Sequence, residues 1–313
     1  MAAMPTQQIG PNGPEVSRIA LGCMGLAGTW NPSEVGPENV KRAIATFETA
    51  LDSGITIYDH ADIYGGTACE SIFKDCLAAI PGSREKIYIA TKCGIGGGMY
   101  NLTSDYIKQA VERSLKRLGV EYVDLYQMHR PDPLAHPKDT ASALRDLVKR
   151  GLVRQVGVSN YYPEQVRALQ TYLEDIPIAS NQISISLTRL DPIYEGWDGR
   201  DGTLDQCMAL GMTPLAYSPL GGGWLSGRRE VRADRPRLAL ILDELRNQAE
   251  KHEATVGQTA VAWLLAHPSG IIPLIGSNNP EHVREGAAAA NINLSREDWY
   301  KLWTVAWGRA GVP

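Results

Sequence analysis

The chain has 313 residues, 43% of them hydrophobic, and a formal net charge of -4. That is enough to bury a sizeable core, and too acidic a surface to make nucleic acid or an anionic membrane the main partner, so a small molecule is expected instead. The five cysteines, Cys23, Cys69, Cys76, Cys93 and Cys207, are odd in number and form no CxxC pair or zinc spacing. This pattern fits a reducing compartment and no metal site. Without a basic-then-apolar leader or an apolar run of membrane-spanning length, the expectation is a cytoplasmic protein.

Residues 1–16 are rich in Pro, Gly and Gln and predict a small hairpin that plugs one end of the fold. Residues 17–22 read as a first strand, leading into a glycine-rich loop. Gly22, Gly25 and Gly28 give GxxGxxG, which is not the GxGxxG of a dinucleotide-binding turn. Helical periodicity from Pro37 to Ser53 precedes the β-branched run Ile55 to Tyr58, which ends at Asp59, with Tyr64 five residues further on. Helix 70–79 is followed by strand 86–91, ending at Lys92. Thr103 or Ser104 is placed to cap a helix that stops at Gly119. Strand 123–128 ends at His129, helix 138–150 stops at Gly151, and strand 153–158 ends at Ser159 and Asn160.

The alternation continues. Pro163 opens a helix to about Tyr172, residues 179–182 form a short strand, helix 204–210 closes at Gly211, and residues 213–217 are the next strand. A Gly- and Arg-rich excursion, residues 221–237, precedes helices near 238–252 and 258–266. Residues 271–275 are the last strand, Pro280 opens the last barrel helix, and residues 295–313 form an extra Trp-rich helix and tail. Trp299, Trp303 and Trp307, four residues apart, read as core. Eight consecutive βα units predict an α/β protein of the (β/α)8 TIM barrel type, with one domain spanning residues 1–313.

In such a barrel the carboxyl ends of the strands open on one face, so Asp59, Tyr64, Lys92 and His129 are expected to converge there. A phenol is a poor acid near neutral pH. An ammonium beside it favours the phenolate, a carboxylate behind keeps that ammonium charged, and a neutral imidazole can orient a carbonyl. Together they make a proton donor for a developing alkoxide.

Residues 59–65 (DHADIYG), 91–94 (TKCG), 127–133 (QMHRPDP), 157–160 (GVSN) and 217–220 (YSPL) resemble, in order, the sequence blocks of the aldo/keto reductase superfamily. The likeness covers nearly the whole chain. Residues 60–65, 129–133 and 308–313 look closest to a bacterial oxidoreductase branch. The resemblance implies Tyr64 as general acid/base, Lys92 lowering its pKa, Asp59 pairing with Lys92, and His129 orienting the carbonyl. It implies NADP (as NADPH), with NAD as the alternative cofactor. Ser159, Asn160 and Gln182 match positions that hold the nicotinamide carboxamide, and Tyr217 matches the aromatic under the ring.

Ser218, Leu220 and Gly222 match the pyrophosphate loop, where Arg228, Arg229, Arg232 and Arg235 are candidates to close over it. Gly276, Ser277 and Asn278 match the adenosine ribose segment, with Glu285 retained near the adenine. His282 stands where an arginine commonly meets the 2′-phosphate, so NADPH is expected to be preferred by a reduced margin, with Arg284 nearby in sequence. Trp30, the loop 94–100, Tyr194, Trp197 and Trp224 are expected to wall the substrate pocket. They point to an apolar or ring-bearing aldehyde, ketone or alcohol.

The resulting expectation is an NADP-dependent oxidoreductase that interconverts a carbonyl and an alcohol, monomeric or weakly self-associating. The alternatives are a nucleotide-binding regulatory subunit on the same fold and, more remotely, a metal-dependent barrel hydrolase built on Asp59 and His129.

Overall fold

The computed structural model describes residues 3–193, 202–231 and 234–308. Eight parallel strands close into a barrel: Ala20–Gly22, Ile57–Asp59, Tyr88–Cys93, Val123–Met128, Val153–Ser159, Ile178–Ser184, Thr213–Tyr217 and Ile272–Ile275. Each pairs with its neighbours in chain order, and the last closes on the first through Leu274 beside Ala20 and Ile275 beside Leu21. Their backbone groups are thus paired on both sides, and the near-continuous apolar runs suit strands covered on both faces.

The outer ring is built from amphipathic helices, among them Pro37–Asp52, Ala68–Ala79, Ser104–Leu118, Pro137–Lys149, Pro163–Leu173 and Pro280–Ala288. Proline opens four of these six in their first turn, where its missing N–H costs nothing. Gly119, in the left-handed region at φ 68°, ends Ser104–Leu118 by donating its N–H back to Leu115. Thr103 is the residue before that helix, yet its side chain does not cap it; its Oγ1 donates to Asn101 Oδ1 at 2.8 Å instead.

The hairpin expected at the start of the chain is present, with Thr6–Gln8 antiparallel to Glu15–Ser17. Ile9, at its turn, is fully buried among Ala20, Ile57, Ala90, Leu125, Leu215 and Ile272 inside the barrel. Gly10 N–H donates to Thr213 Oγ1 (2.8 Å) and Gln7 Nε2 to the Gly270 carbonyl (2.7 Å), so the plug sits under the amino ends of the strands. Ser17 belongs to this hairpin rather than to the first barrel strand. Its backbone N–H goes to Thr56 Oγ1 and its hydroxyl to the Ile19 carbonyl, which breaks the run the sequence suggests.

The barrel interior is therefore layered. An apolar lower part is closed by Ile9, and above it lie buried polar side chains: Asp59, Lys92, Gln127, Ser180 and Gln182. Register places them. Asp59 lies beside Gly22 and Ala90, Lys92 beside Gln127, and Ser159 beside Gln182. The loop after Cys93 folds into a small hairpin, Ile95–Gly96 with Met99–Tyr100, which periodicity does not reveal. No helix among the described residues is long and apolar enough to cross a membrane.

Candidate active site

At the carboxyl ends of the strands lies a cleft of about 780 Å³. Asp59, 2% exposed, and the fully buried Lys92 form its floor. Lys92 Nζ donates to both Asp59 oxygens at 2.8 Å and to the His60 carbonyl at 2.7 Å. Gln182 Nε2 donates to Asp59 Oδ1 at 2.7 Å, and Gln127 Nε2 reaches the same atom at 3.4 Å. A charge pair this deep holds only because its remaining hydrogen-bonding capacity is met.

Tyr64 is carried by the short turn Tyr64–Thr67, whose Gly65 and Gly66 adopt φ 57° and 62°. A Cβ on Gly66 would stand 2.8 Å from the Pro32 ring, and one on Gly65 2.9 Å from Cys69 Sγ. Only glycine serves in such a tight left-handed pair. The turn aims the phenol so that Lys92 Nζ lies 5.0 Å from its ring centroid and the His129 ring 6.0 Å away, edge-on.

Burial pushes the Tyr64 phenol up; the Lys92 ammonium opposes this without overcoming it. The net direction is opposite to the one expected from a phenol and an ammonium alone. Burial also works against charge on Lys92, but Asp59, with Tyr64, more than compensates and holds the ammonium above its ordinary range. For His129, burial together with Lys92 and Arg130 lowers the pKa to about 3, so its imidazole is neutral. Its Nδ1 is buried with no hydrogen-bond partner among the described residues. His60, fully buried against Phe73 at 4.4 Å, is likewise lowered to about 3 by burial and then by Lys92. Asp62 is raised to about 7 by burial and by Glu70.

Beyond this end the cleft runs past Ser159, Asn160, Gln182 and Tyr217 to Ser218, Leu220 and Gly222, and then to Gly276, Ser277, His282 and Glu285. These polar groups are already linked to one another. Tyr217 donates to Asn160 Oδ1 (2.8 Å), Asn160 Nδ2 to Ser159 Oγ (2.8 Å), and Ser159 Oγ to the Gln182 carbonyl (2.9 Å). Asn160 and Ser218, each just past a strand end, take left-handed φ values of 61° and 54°. Strained residues of this kind are held where a site needs the chain to reverse.

Not every expected residue faces the cleft. Trp224 does not line it; the guanidinium groups of Arg235 and Arg229 lie over its ring at 4.4 and 5.2 Å. Asn278 is absent from the wall, and its carbonyl accepts from Thr46 Oγ1. Arg284 pairs with Glu281 at 2.7 Å rather than turning to the cleft. Gln182 commits one N–H of its side-chain amide to Asp59. Of the loop arginines, Arg228 and Arg229 reach the wall, and Arg228 is paired there with Glu285. Tyr194, Trp197 and Arg232 lie outside the described residues. Trp30 is on the wall, as is Ile95 from the loop 94–100, and they are joined by Met24, Ile63 and Arg130, three residues that strand-end reasoning does not single out.

A family model described as the aldo/keto reductase family matches residues 18–305. The chain belongs to the aldo/keto reductase family. It is 39% identical over 311 residues to a 6-dehydroglucose reductase of Novosphingobium aromaticivorans, covering 96% of this chain and 95% of that protein. It is 36% identical to the oxidoreductase YdhF of Escherichia coli over 96% and 97% of the two chains. Among solved structures, a glycerol dehydrogenase from Gluconobacter oxydans superposes with a TM-score of 0.84 at 27% identity, covering 98% and 97%. This aldo/keto reductase therefore sits among oxidoreductases, and the regulatory-subunit alternative finds no support in these relatives.

Proposed function

We propose that this aldo/keto reductase interconverts a carbonyl compound and its alcohol using NADP(H), with Tyr64 as general acid and base. The observation that carries the reading is a buried phenol between an ammonium and a neutral imidazole, in a cleft of about 780 Å³ at the carboxyl ends of the strands. The cleft also suits that ligand chemically. Gly222 and Gly276 line it with nothing within 4 Å of where a Cβ would stand, so backbone is open to close approach. The first turn of helix Pro280–Ala288 lies beside Ser277 and His282, and a helix start favours phosphate.

Ser159, Asn160 and the Gln182 side-chain amide would hold the carboxamide, with Tyr217 under the ring. A reduced nicotinamide, when bound, supplies the hydride. Tyr64 and His129 Nε2 would both donate to the substrate carbonyl oxygen and fix its angle. As the carbonyl carbon gains the hydride, that oxygen takes the phenolic proton, leaving a phenolate and a neutral alcohol. The Lys92 ammonium offsets the new negative charge, and Asp59 keeps Lys92 charged and in place. A phenol held protonated by burial is in the form that reduction requires, and the reverse reaction runs through the same atoms.

His282, 3.3 Å from Ser277 Oγ, is the group we assign to the 2′-phosphate, which gives NADPH preference over NADH. The 6-dehydroglucose and glycerol in the relatives' descriptions both bear hydroxyl groups, which makes a hydroxylated carbonyl compound our preferred substrate class. The test is Tyr64→Phe, followed by oxidation of reduced cofactor with an aldehyde panel. Turnover should fall about 10²–10⁴-fold with cofactor affinity nearly unchanged. Turnover within a few-fold of the parent would refute the assignment.

A further inference from the structure

Arg130 follows His129 at the end of the strand Val123–Met128 and lines the cleft at its catalytic end. It is half-buried, and among the described residues neither a carboxylate nor an aromatic ring engages its guanidinium. That sets it apart from the other arginines of the cleft, since Arg228 is held by Glu285 and Arg229 lies over Trp224. Arg130 is the next residue after His129, whose imidazole its charge helps to hold neutral. The same cleft is lined by the apolar side chains of Met24, Ile63 and Ile95 and by Trp30, which is 58% exposed. Asp59, which also lines the cleft, is committed to Lys92 and Gln182.

A guanidinium carries five N–H donors and no acceptor, so at this half-buried position its donors are free for water or for the oxygens of a ligand in the cleft. We propose that Arg130 is a specificity-determining residue that donates hydrogen bonds to hydroxyl oxygens next to the substrate carbonyl, while Trp30 covers the C–H face of the same molecule. The site thereby selects hydroxylated aldehydes and ketones over plain alkyl ones. This rests on the oxidoreductase reading above and specifies its substrate. An apolar wall with one donor-rich corner suits a compact polyhydroxy carbonyl, which shows oxygens on its edge and C–H groups on its face. Lys cannot replace the fork of donors, because its ammonium acts as a single point charge.

The test is kcat/KM for glyceraldehyde, propanal and glyoxylate with each reduced cofactor, in the parent and in Arg130→Met, Arg130→Gln and Arg130→Lys. Aldehyde hydration cancels when parent and variant are compared. The glyceraldehyde-to-propanal ratio should fall about tenfold in the Met and Gln variants and less in Lys, as expected for loss of a hydrogen bond to a charged group. A ratio that moves less than twofold in both would overturn the proposal. So would a glyoxylate-to-propanal ratio that falls more than the glyceraldehyde one, which would make Arg130 a reader of negative charge. A second measurement needs no variant: glycerol should inhibit propanal reduction by the parent at lower concentration than propan-1-ol, and equal inhibition would count against the subsite. Propanal turnover with an unmoved ratio sinks only the subsite. Failure of the parent to reduce any of the three aldehydes sinks the oxidoreductase reading with it.

Discussion

Lys92 is held by three charge-assisted bonds in a site with no solvent access, and Asp59 depends on it for charge compensation. Lys92→Met removes the ammonium and leaves a carboxylate 2% exposed, with Gln182 and Gln127 its remaining donors among the described residues. Breaking a buried pair from one side costs about 3–5 kcal/mol, whereas replacing both charges with neutral groups of similar shape is close to neutral. Asp59→Asn combined with Lys92→Met should therefore recover most of the stability lost in the single variant. Activity should behave differently, because Tyr64 loses its ammonium in both cases, and turnover should stay down about 10²–10⁴-fold. Urea unfolding of the parent, both single variants and the double variant, beside cofactor oxidation with one aldehyde, measures the two effects on the same samples. If the double variant is as unstable as Lys92→Met, the stability argument fails. If it regains parental turnover, Lys92 does not act on the phenol.

Three further outcomes are expected. His60 is lowered to about 3 in the folded chain, against an ordinary value of about 6.5, so the unfolded state binds the proton first and stability is lost as pH falls from about 6.5 towards 3. In His60→Leu the stability difference between pH 7.5 and pH 5 should shrink by about 2 kcal/mol, and an unchanged difference by urea titration at both pH values would contradict this. Gly66→Ala puts a side chain against Pro32 at φ 62° and should destabilise by about 1–3 kcal/mol while lowering turnover through the misplaced Tyr64 turn; a fully active, equally stable variant would show the glycine is dispensable. His282→Arg should raise the kcat/KM preference for NADPH over NADH about tenfold, and an unmoved ratio would mean His282 does not meet the phosphate.

Asp59, Lys92 and His129 are legible in the sequence because each ends an apolar run, and a parallel barrel brings all such ends to one face. Helix boundaries are legible wherever proline opens or glycine closes a turn. What escapes depends on partners remote in the chain or on a competing neighbour. Ser17 joins the hairpin because Thr56 claims its N–H, and Thr103 fails to cap because Asn101 takes its hydroxyl. Trp224 looks like a pocket aromatic until Arg229 and Arg235 are found over it. The direction of the Tyr64 shift is hidden because sequence shows which charges are near the phenol but not how much water has been removed. Arg130 stands inside a recognised block, yet a lone arginine beside a histidine looks solvated until the fold shows it half-buried on the cleft wall.

The closing seam of the barrel joins the start of the chain to its far end, Ala20 beside Leu274, and the floor plug likewise waits for Thr213. During synthesis the first strand therefore emerges with an open edge that its final neighbour cannot cover until most of the chain exists. Exposed strand edges of this kind recruit other chains. Yield in a heterologous host should thus be governed by translation speed and chaperone supply more than by the stability of the finished enzyme, and a circular permutant that joins the two ends and opens the chain elsewhere would bring these two strands closer in sequence from the outset.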